Sequence, residues 1–173
     1  MDRPSAIIRA DASAKIGAGH VVRCLAMAQA LQREGWYVSF AATAATFEMV
    51  PALHMGEADR FVLKRWDDAK EFVGQIPSFD LMIVDHYGLD RTYETECRKR
   101  AEEILVIDDL ADRPHDCDWI VDQTIDRNSH DYAELSPTDC TVLAGPVYAL
   151  LRSTFRTRRK PKPISSEVNR VFV

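Results

Sequence analysis

The residues with the clearest potential for chemistry lie in a glycine-bearing turn near the start of the sequence. Gly17 and Gly19 flank an alanine, and His20 follows at once. Glycines let a backbone turn tightly and approach a ligand, and a helix beginning here would offer unpaired N–H groups to an anion. Because the positive end of a helix disfavours an imidazolium, we expect a neutral His20 that can accept a proton. The turn predicts an anion site beside a candidate general base.

Two simpler interpretations of this turn stay open. A glycine-x-glycine turn can bind a dinucleotide, but a third glycine is missing here. The predicted strand at 38–42 also ends without the carboxylate that would hold a ribose. His20, for its part, can serve only to cap the helix.

A second group of polar residues follows the apolar run 79–85, which ends on Asp85 and continues into His86 and Tyr87. Ligands of open α/β sheets bind beyond the carboxyl ends of the strands. We therefore expect Asp85, His86 and Tyr87 near His20, provided that their strand neighbours the first one.

A third group follows the apolar run 104–107 and contains possible metal ligands: Asp108, Asp109, His115 and Cys117. The set mixes hard and soft ligands and has no recognised metal-binding spacing, which argues against a metal. A metal site at these residues is the alternative to a structural role.

The elements that must position these residues alternate between strand and helix. Apolar runs predict strands at 6–8, 38–42, 61–63, 79–85, 104–107, 119–121 and 141–144. Helical spacing predicts helices from the glycine turn to residue 34, at 44–53, at 64–74 and at 92–101. Gly35 is the expected helix stop, Asp90 an expected N-cap, and Trp36 and Trp66 expected packing residues. The alternation is typical of an α/β fold with a Rossmann-like, doubly wound parallel sheet.

Composition narrows the function classes further. Of 173 residues, 46% are hydrophobic and 28% charged, and the net charge of −5 disfavours nucleic-acid or anionic-membrane partners. No apolar run approaches the length of a membrane span, and no signal-peptide core follows Met1. The four cysteines lie far apart without a Cys-x-x-Cys pair, so we expect a reduced, cytoplasmic protein without a disulfide framework.

Five sequence blocks resemble the UDP-sugar hydrolases of pseudaminic acid biosynthesis, which cleave UDP-2,4-diacetamido-2,4,6-trideoxy-β-L-altropyranose, and the related spore-coat polysaccharide proteins. The blocks, which follow the family's order, are Arg-Ala-Asp-Ala-Ser…Ile-Gly-Ala-Gly-His-Val-Val-Arg-Cys at 9–24, Asp-His-Tyr-Gly-Leu-Asp at 85–90, the segment 107–118, Asp-Gln at 122–123, and Gly-Pro-Val-Tyr-Ala-Leu-Leu-Arg at 145–152. Their shared order is far more specific than any one block. Thr124 stands where the family has an asparagine, which puts the hydrogen bond of that amide in question.

The resemblance implies a metal-independent hydrolase that needs no cofactor and acts on a UDP-sugar. His20 would be the general base that activates water at the anomeric carbon, and the glycine turn would face the diphosphate. Tyr87 and Asp11 would hold the sugar. The other motif residues implied in substrate binding are Arg9, Gly17, Gly19, Arg23, Asp85, Asp109 and Gln123.

The resemblance also implies the N-terminal half of a two-domain protein of glycosyltransferase-B type. We expect a Rossmann-like domain at 1–155, a basic, proline-bearing linker at 156–167, and the first strand of a C-terminal nucleotide-binding domain at 168–173. The missing domain would complete the site, so the fragment alone is expected to be inactive. Two other functions stay open: a sugar transferase of the same fold, and a non-catalytic module of a polysaccharide or flagellin-glycosylation complex.

Overall fold

The computed structural model describes residues 3–14, 16–54, 59–152 and 154–155. Its seven strands are β1 (Ser5–Ala10), β2 (Tyr37–Thr43), β3 (Arg60–Leu63), β4 (Phe79–Asp85), β5 (Ala101–Ile107), β6 (Trp119–Asp122) and β7 (Thr141–Ala144). They form one sheet in the order β3-β2-β1-β4-β5-β6-β7, and every neighbouring pair is parallel. The predicted α/β, Rossmann-like architecture is confirmed.

Helices cover both faces of this sheet. They are α1 (Gly19–Arg33), α2 (Ala44–Met49), α3 (Ala69–Gln75) and α4 (Arg91–Cys97), with short 3-10 helices at Pro51–His54, Ser129–Tyr132 and Pro146–Tyr148. On one face, Ile8 and Ile83 pack in a layer with Val21 of α1. On the other face, Met82 packs in a layer with Phe72 of α3. Because both faces are buried, the central strands carry runs of consecutive apolar residues, such as Ala6–Ile8, rather than an alternating pattern.

Two predicted helices have different bounds in the structure. The helix predicted at 44–53 breaks before Pro51, because proline lacks an N–H and disfavours helical geometry in the preceding residue. The helix predicted at 64–74 begins only at Ala69. Asp68 is its N-cap and accepts a backbone N–H of the first turn at 2.9 Å.

The helix predicted at 92–101 is also shorter, since α4 ends at Cys97. Ala101 already pairs with Phe79 in the sheet, so strand pairing replaces the helical geometry that the local sequence favours. The N-cap predicted at Asp90 is confirmed, because its side chain accepts a backbone N–H at 2.9 Å.

The predicted stop of α1 at Gly35 is confirmed by its left-handed backbone, with φ of +90°. Trp36 packs partly buried against the layer that contains α1, as predicted. Trp66 packs against another ring rather than into the core: it is 42% exposed and stacks on the ring of His86, with the ring centroids 4.7 Å apart.

The strand order reverses at the centre of the sheet, between β1 and β4: β2 and β3 are added on one side of β1, and β4 to β7 on the other. β1 pairs with β2 on one side and with β4 on the other, and Ala10 lies opposite Asp85. Ligands of such sheets bind in the crevice that opens at this reversal. The loops after β1 and β4 both emerge there.

The predicted linker at 156–167 and the predicted strand at 168–173 lie outside the described residues. Within the ranges that are described, no helix is long and apolar enough to cross a membrane.

Candidate active site

His20 and Asp85 form a buried pair at the central crevice. His20 lies in the first turn of α1, and Asp85 is the last residue of β4. The His20 Nδ1 atom lies 2.5 Å from Asp85 Oδ1, with His20 only 6% exposed and Asp85 fully buried. Because a carboxylate can only accept this hydrogen bond, Nδ1 carries the proton and Nε2 is the nitrogen left to accept another.

Asp85 faces α1 because side chains alternate along β4. Ile83, two residues earlier, lies in the layer that contains Val21 and Cys24 of α1. The Cys24 thiol donates to Asp85 Oδ2 at 3.4 Å, which places the carboxylate over the same helix. The structure shows Asp85 hydrogen-bonded to His20, and its predicted contact with substrate stays a prediction.

Arg23 holds the Asp85 carboxylate from one turn further along α1. Its Nε and Nη2 atoms donate to the two carboxylate oxygens at 2.6 and 2.7 Å, and its Nη1 donates to Asp109 at 2.9 Å. Burial raises the pKa of Asp85, but hydrogen bonds from Arg23 and His20 outweigh burial and lower that pKa below its ordinary value. An ionised Asp85 stabilises the imidazolium that forms when His20 accepts a proton.

A cleft of about 630 Å³ opens beside this pair. Six of the predicted site residues line it: Gly19, His20, Arg23, Tyr87, Asp109 and Gln123. Asp85 lies behind His20 and has no exposed surface. With Leu150 of the last block, which also lines it, the structure gathers residues from all five sequence blocks around one cavity.

Tyr87 and Asp109 form the wall of the cleft beside His20. The Tyr87 ring packs edge-on against the His20 ring with centroids 4.4 Å apart, and its hydroxyl donates to Asp109 Oδ2 at 3.3 Å. Burial raises the pKa of Tyr87, and the neighbouring Asp109 raises it further, so the phenol stays protonated. Asp109 Oδ1 is buried without a hydrogen-bond partner in the described part of the chain.

Gln123 joins the fourth and fifth sequence blocks. Its Oε1 accepts the backbone N–H of Leu150 at 3.0 Å, and both residues line the cleft. With Oε1 used in this way, the amide Nε2 is the end of Gln123 that can donate to a ligand.

The start of α1 suits an anion. Gly17 has a φ of +74°, which favours glycine, and its N–H donates to Ser13 at 2.7 Å to close the turn. The N-cap Ala18 supplies no side-chain cap, and the first helical turn holds no acidic residue. A Cβ added at Gly19 would meet no described protein atom within 4 Å, so space remains beside the free N–H groups.

Arg9 and Asp11, two of the predicted site residues, lie outside the cleft. Arg9 is fully buried and forms an ion pair with Asp11 at 2.6 Å. Asp11 also accepts hydrogen bonds from Thr43 and Thr46. Burial raises the pKa of Asp11, but Arg9 and these donors lower it overall. Neither residue lines the cleft, nor does Gly17, so their contact with substrate stays a prediction.

His86 was expected beside His20 but does not line the cleft. It stacks on Trp66, and its Nδ1 accepts the N–H of Gly88 at 3.0 Å. Burial lowers the pKa of His86 to about 4, with a further contribution from the charge of Arg9. His86 is therefore neutral near pH 7 and part of the packing.

The proposed metal ligands after β5 are engaged with protein partners. Asp108 accepts hydrogen bonds from Arg113 at 2.8 Å and Tyr132 at 3.0 Å, and His115 Nδ1 lies 2.8 Å from Glu94. Burial lowers the pKa of His115, but Asp108 and Glu94 outweigh burial and raise that pKa to about 9. Among the described residues, no three histidine, cysteine or acidic side chains are grouped as metal ligands.

Sequence reasoning missed Arg152 and Leu151, which also line the cleft. The signal was available, because both belong to the block at 145–152 that resembles the family. A short 3-10 helix at Pro146–Tyr148 brings that block back towards Gln123.

The chain is similar to the UDP-2,4-diacetamido-2,4,6-trideoxy-beta-L-altropyranose hydrolase of Campylobacter jejuni, with 28% identity over 161 residues. The match covers 89% of this chain and 54% of that protein, so the chain spans about half the length of this curated relative. No protein-family model matches the chain. The resemblance inferred from the five blocks is confirmed.

Proposed function

We propose that this chain forms the water-activating part of a nucleotide-sugar hydrolase. The substrate is UDP-2,4-diacetamido-2,4,6-trideoxy-β-L-altropyranose or a close analogue, and the products are UDP and the free 2,4-diacetamido-2,4,6-trideoxy-L-altrose. The pair formed by His20 and Asp85 at the cleft is the observation that carries this proposal. The name of the Campylobacter relative supports the substrate class.

In the proposed step, His20 Nε2 takes a proton from a water molecule within about 3 Å. The water oxygen bonds to the anomeric carbon as the bond from that carbon to the diphosphate oxygen breaks. The electron pair of the broken bond leaves with UDP, and attack from the opposite side inverts the anomeric centre. Asp85 keeps the His20 ring in one tautomer and stabilises the positive charge that it gains.

The two ends of the cleft suit the two parts of the substrate. The free N–H groups at the start of α1 stabilise the negative charge that develops on the departing diphosphate. Tyr87, Asp109 and the Nε2 of Gln123 supply hydrogen-bonding groups for the hydroxyl and acetamido groups of the sugar.

A second domain of glycosyltransferase-B type is part of the proposal. Leu151 and Phe155 line the cleft, yet they are 64% and 66% exposed. Exposed apolar side chains at the rim of a cleft are typical of a surface that another unit covers. Covering the cleft would also exclude bulk water, which strengthens the electrostatic interactions inside.

The test is an assay of UDP release by the full-length gene product, without an acceptor and with EDTA present. The proposal expects that UDP is released without an acceptor and that EDTA does not prevent this release. It also expects ¹⁸O from labelled water in the sugar. Label in UDP would mean attack at phosphorus instead. A strict need for an acceptor would show a transferase, and no UDP release with any acceptor would favour a non-catalytic module.

A further inference from the structure

Cys117 and Cys140 are 23 positions apart in the sequence but adjacent in the fold. Their Sγ atoms lie 3.8 Å apart. One cysteine precedes β6 and the other precedes β7, and the register that pairs Trp119 with Thr141 brings the two strand starts together. The pairing of parallel strands therefore brings together two cysteines that are not part of a Cys-x-x-Cys motif.

The two thiols differ in exposure and in charge. Cys117 is 1% exposed, whereas Cys140 is partly exposed. The hydrogen bond between them lowers the pKa of Cys140, although burial opposes this effect. The same hydrogen bond, together with burial, raises the pKa of Cys117. The lowered thiol pKa therefore belongs to the residue that is partly exposed, with the buried Cys117 thiol as its hydrogen-bond donor.

The other two cysteines offer a contrast. Cys24 and Cys97 are both buried. Burial raises the pKa of each thiol, and the Cys24 S–H is donated to Asp85. Neither has a cysteine neighbour in the part of the chain that the structure describes.

We propose that Cys117 and Cys140 form an oxidative modification site that reacts with a peroxide and closes to an intramolecular disulfide. The Cys140 thiol gives up its proton, its thiolate attacks one peroxide oxygen, and the O–O bond breaks; Cys140 becomes a sulfenic acid, and the other oxygen leaves as hydroxide that takes up the released proton to form water. The Cys117 sulfur then attacks the Cys140 sulfur, and the displaced hydroxide leaves as water with the Cys117 proton. In sum, two thiols and one hydrogen peroxide give one disulfide and two waters.

The position of the pair determines what the bond would change. Both cysteines lie before their strands, at the amino edge of the sheet, whereas the cleft lies at the carboxyl edge. The disulfide would tie the edge strand β7 to β6 without touching the residues that line the cleft. We expect oxidation to stabilise this side of the sheet and to leave the His20 pair intact.

The test treats the folded chain with hydrogen peroxide, alkylates the remaining thiols and digests the product with trypsin. Cleavage after Arg127 places Cys117 and Cys140 on different peptides. The proposal expects these two peptides joined, with a mass about 2 Da below their sum and separation on reduction. Cys24 and Cys97 should be recovered alkylated.

Two variants identify the order of the steps. Cys117→Ala should stop at a Cys140 sulfenic acid that dimedone traps, and Cys140→Ala should leave Cys117 as an alkylated thiol. The oxidised parent chain should also melt a few degrees higher than the reduced chain. Cys140 recovered as sulfinic acid beside an alkylated Cys117, or no joined peptides in the parent chain, would overturn the proposal whatever the variants do.

Discussion

The Nδ1 atom of His20 lies 2.5 Å from Oδ1 of Asp85, a contact between residues 65 positions apart. The same carboxylate accepts two hydrogen bonds from Arg23. One side chain of β4 therefore fixes two side chains of α1. The orientation of the proposed base depends on Asp85 as much as on the helix that carries it.

Replacing His20 with asparagine should remove the proton acceptor and keep a donor for Asp85. Loss of a general base lowers kcat by about 10²- to 10⁴-fold. The measurement is UDP release by the full-length protein, with circular dichroism to check folding. His130→Asn is the matched control, because His130 is exposed and lies outside the cleft. Activity of H20N within about tenfold of the parent would remove His20 from the base role.

Asp85→Asn keeps the shape of the side chain and removes its charge. We expect kcat to fall by about 10²- to 10⁴-fold, because an amide can hold the His20 ring in the wrong tautomer and cannot stabilise an imidazolium. KM should change much less than kcat. Asp80→Asn is the control, since Asp80 lies on the same strand at its other end. Equal kcat values for D85N and D80N would contradict this role for Asp85.

The stability of the fold should fall as the pH rises from 6.5 to 9. Burial and Arg113 lower the folded-state pKa of His115, but Asp108 and Glu94 outweigh them and raise it from an ordinary 6.5 to about 9. Because the folded-state pKa is higher than the unfolded-state pKa, the protonated His115 stabilises the fold fully below pH 6.5. This stabilisation is lost as the pH rises through 9. A shift of this size corresponds to about 3 kcal/mol at most. Urea unfolding at several pH values measures it.

Two variants on α4 provide the comparison for this pH dependence. Glu94→Gln removes a carboxylate from His115 and should flatten the fall in the free energy of unfolding. Glu96→Gln changes a partly exposed carboxylate on the same helix that pairs with Lys99, and it should leave the fall as it is in the parent. A pH-independent free energy of unfolding in the parent chain would refute the charged state of His115.

This chain by itself should bind UDP weakly and turn over little substrate. In the two-domain arrangement that we propose, the nucleotide is held mainly by the other domain. Calorimetric titration with UDP, on the chain and on the full-length gene product, measures the difference directly. Tight UDP binding with full turnover by the chain alone would show a complete site and end the two-domain proposal.

The strands were predictable because their signal is local. Continuous apolar runs such as 81–84 are typical of strands in a sheet buried on both faces. Helix ends were less predictable, because strand pairing at Ala101 and the proline at residue 51 outweigh helical periodicity. The proximity of Asp85 to His20 was also predictable, on the condition that the strand ending at Asp85 neighbours the first strand. The pairing of β4 with β1 meets that condition.

The detailed roles within the site depended on which way each side chain points. Asp85 ends β4 and His86 directly follows it, yet one side chain meets α1 and the other stacks on Trp66. The sequence does not show on which side a given helix lies. The cysteine pair at 117 and 140 was unpredictable for a similar reason, since it depends on the register of two strands.

The place of β1 at the centre of the sheet has a consequence for how the protein is made. β1 is synthesised before the other strands of this sheet, but one of its two neighbours, β4, follows much later, and Ser5 bonds to Asp80 across 75 positions. Contacts of such sequence separation are slow to form, because a long loop must close before they stabilise the chain. The hydrogen bond between His20 and Asp85 also requires the long loop between β1 and β4 to close. A nascent chain that has not yet extruded β4 therefore holds neither a finished core nor an oriented base.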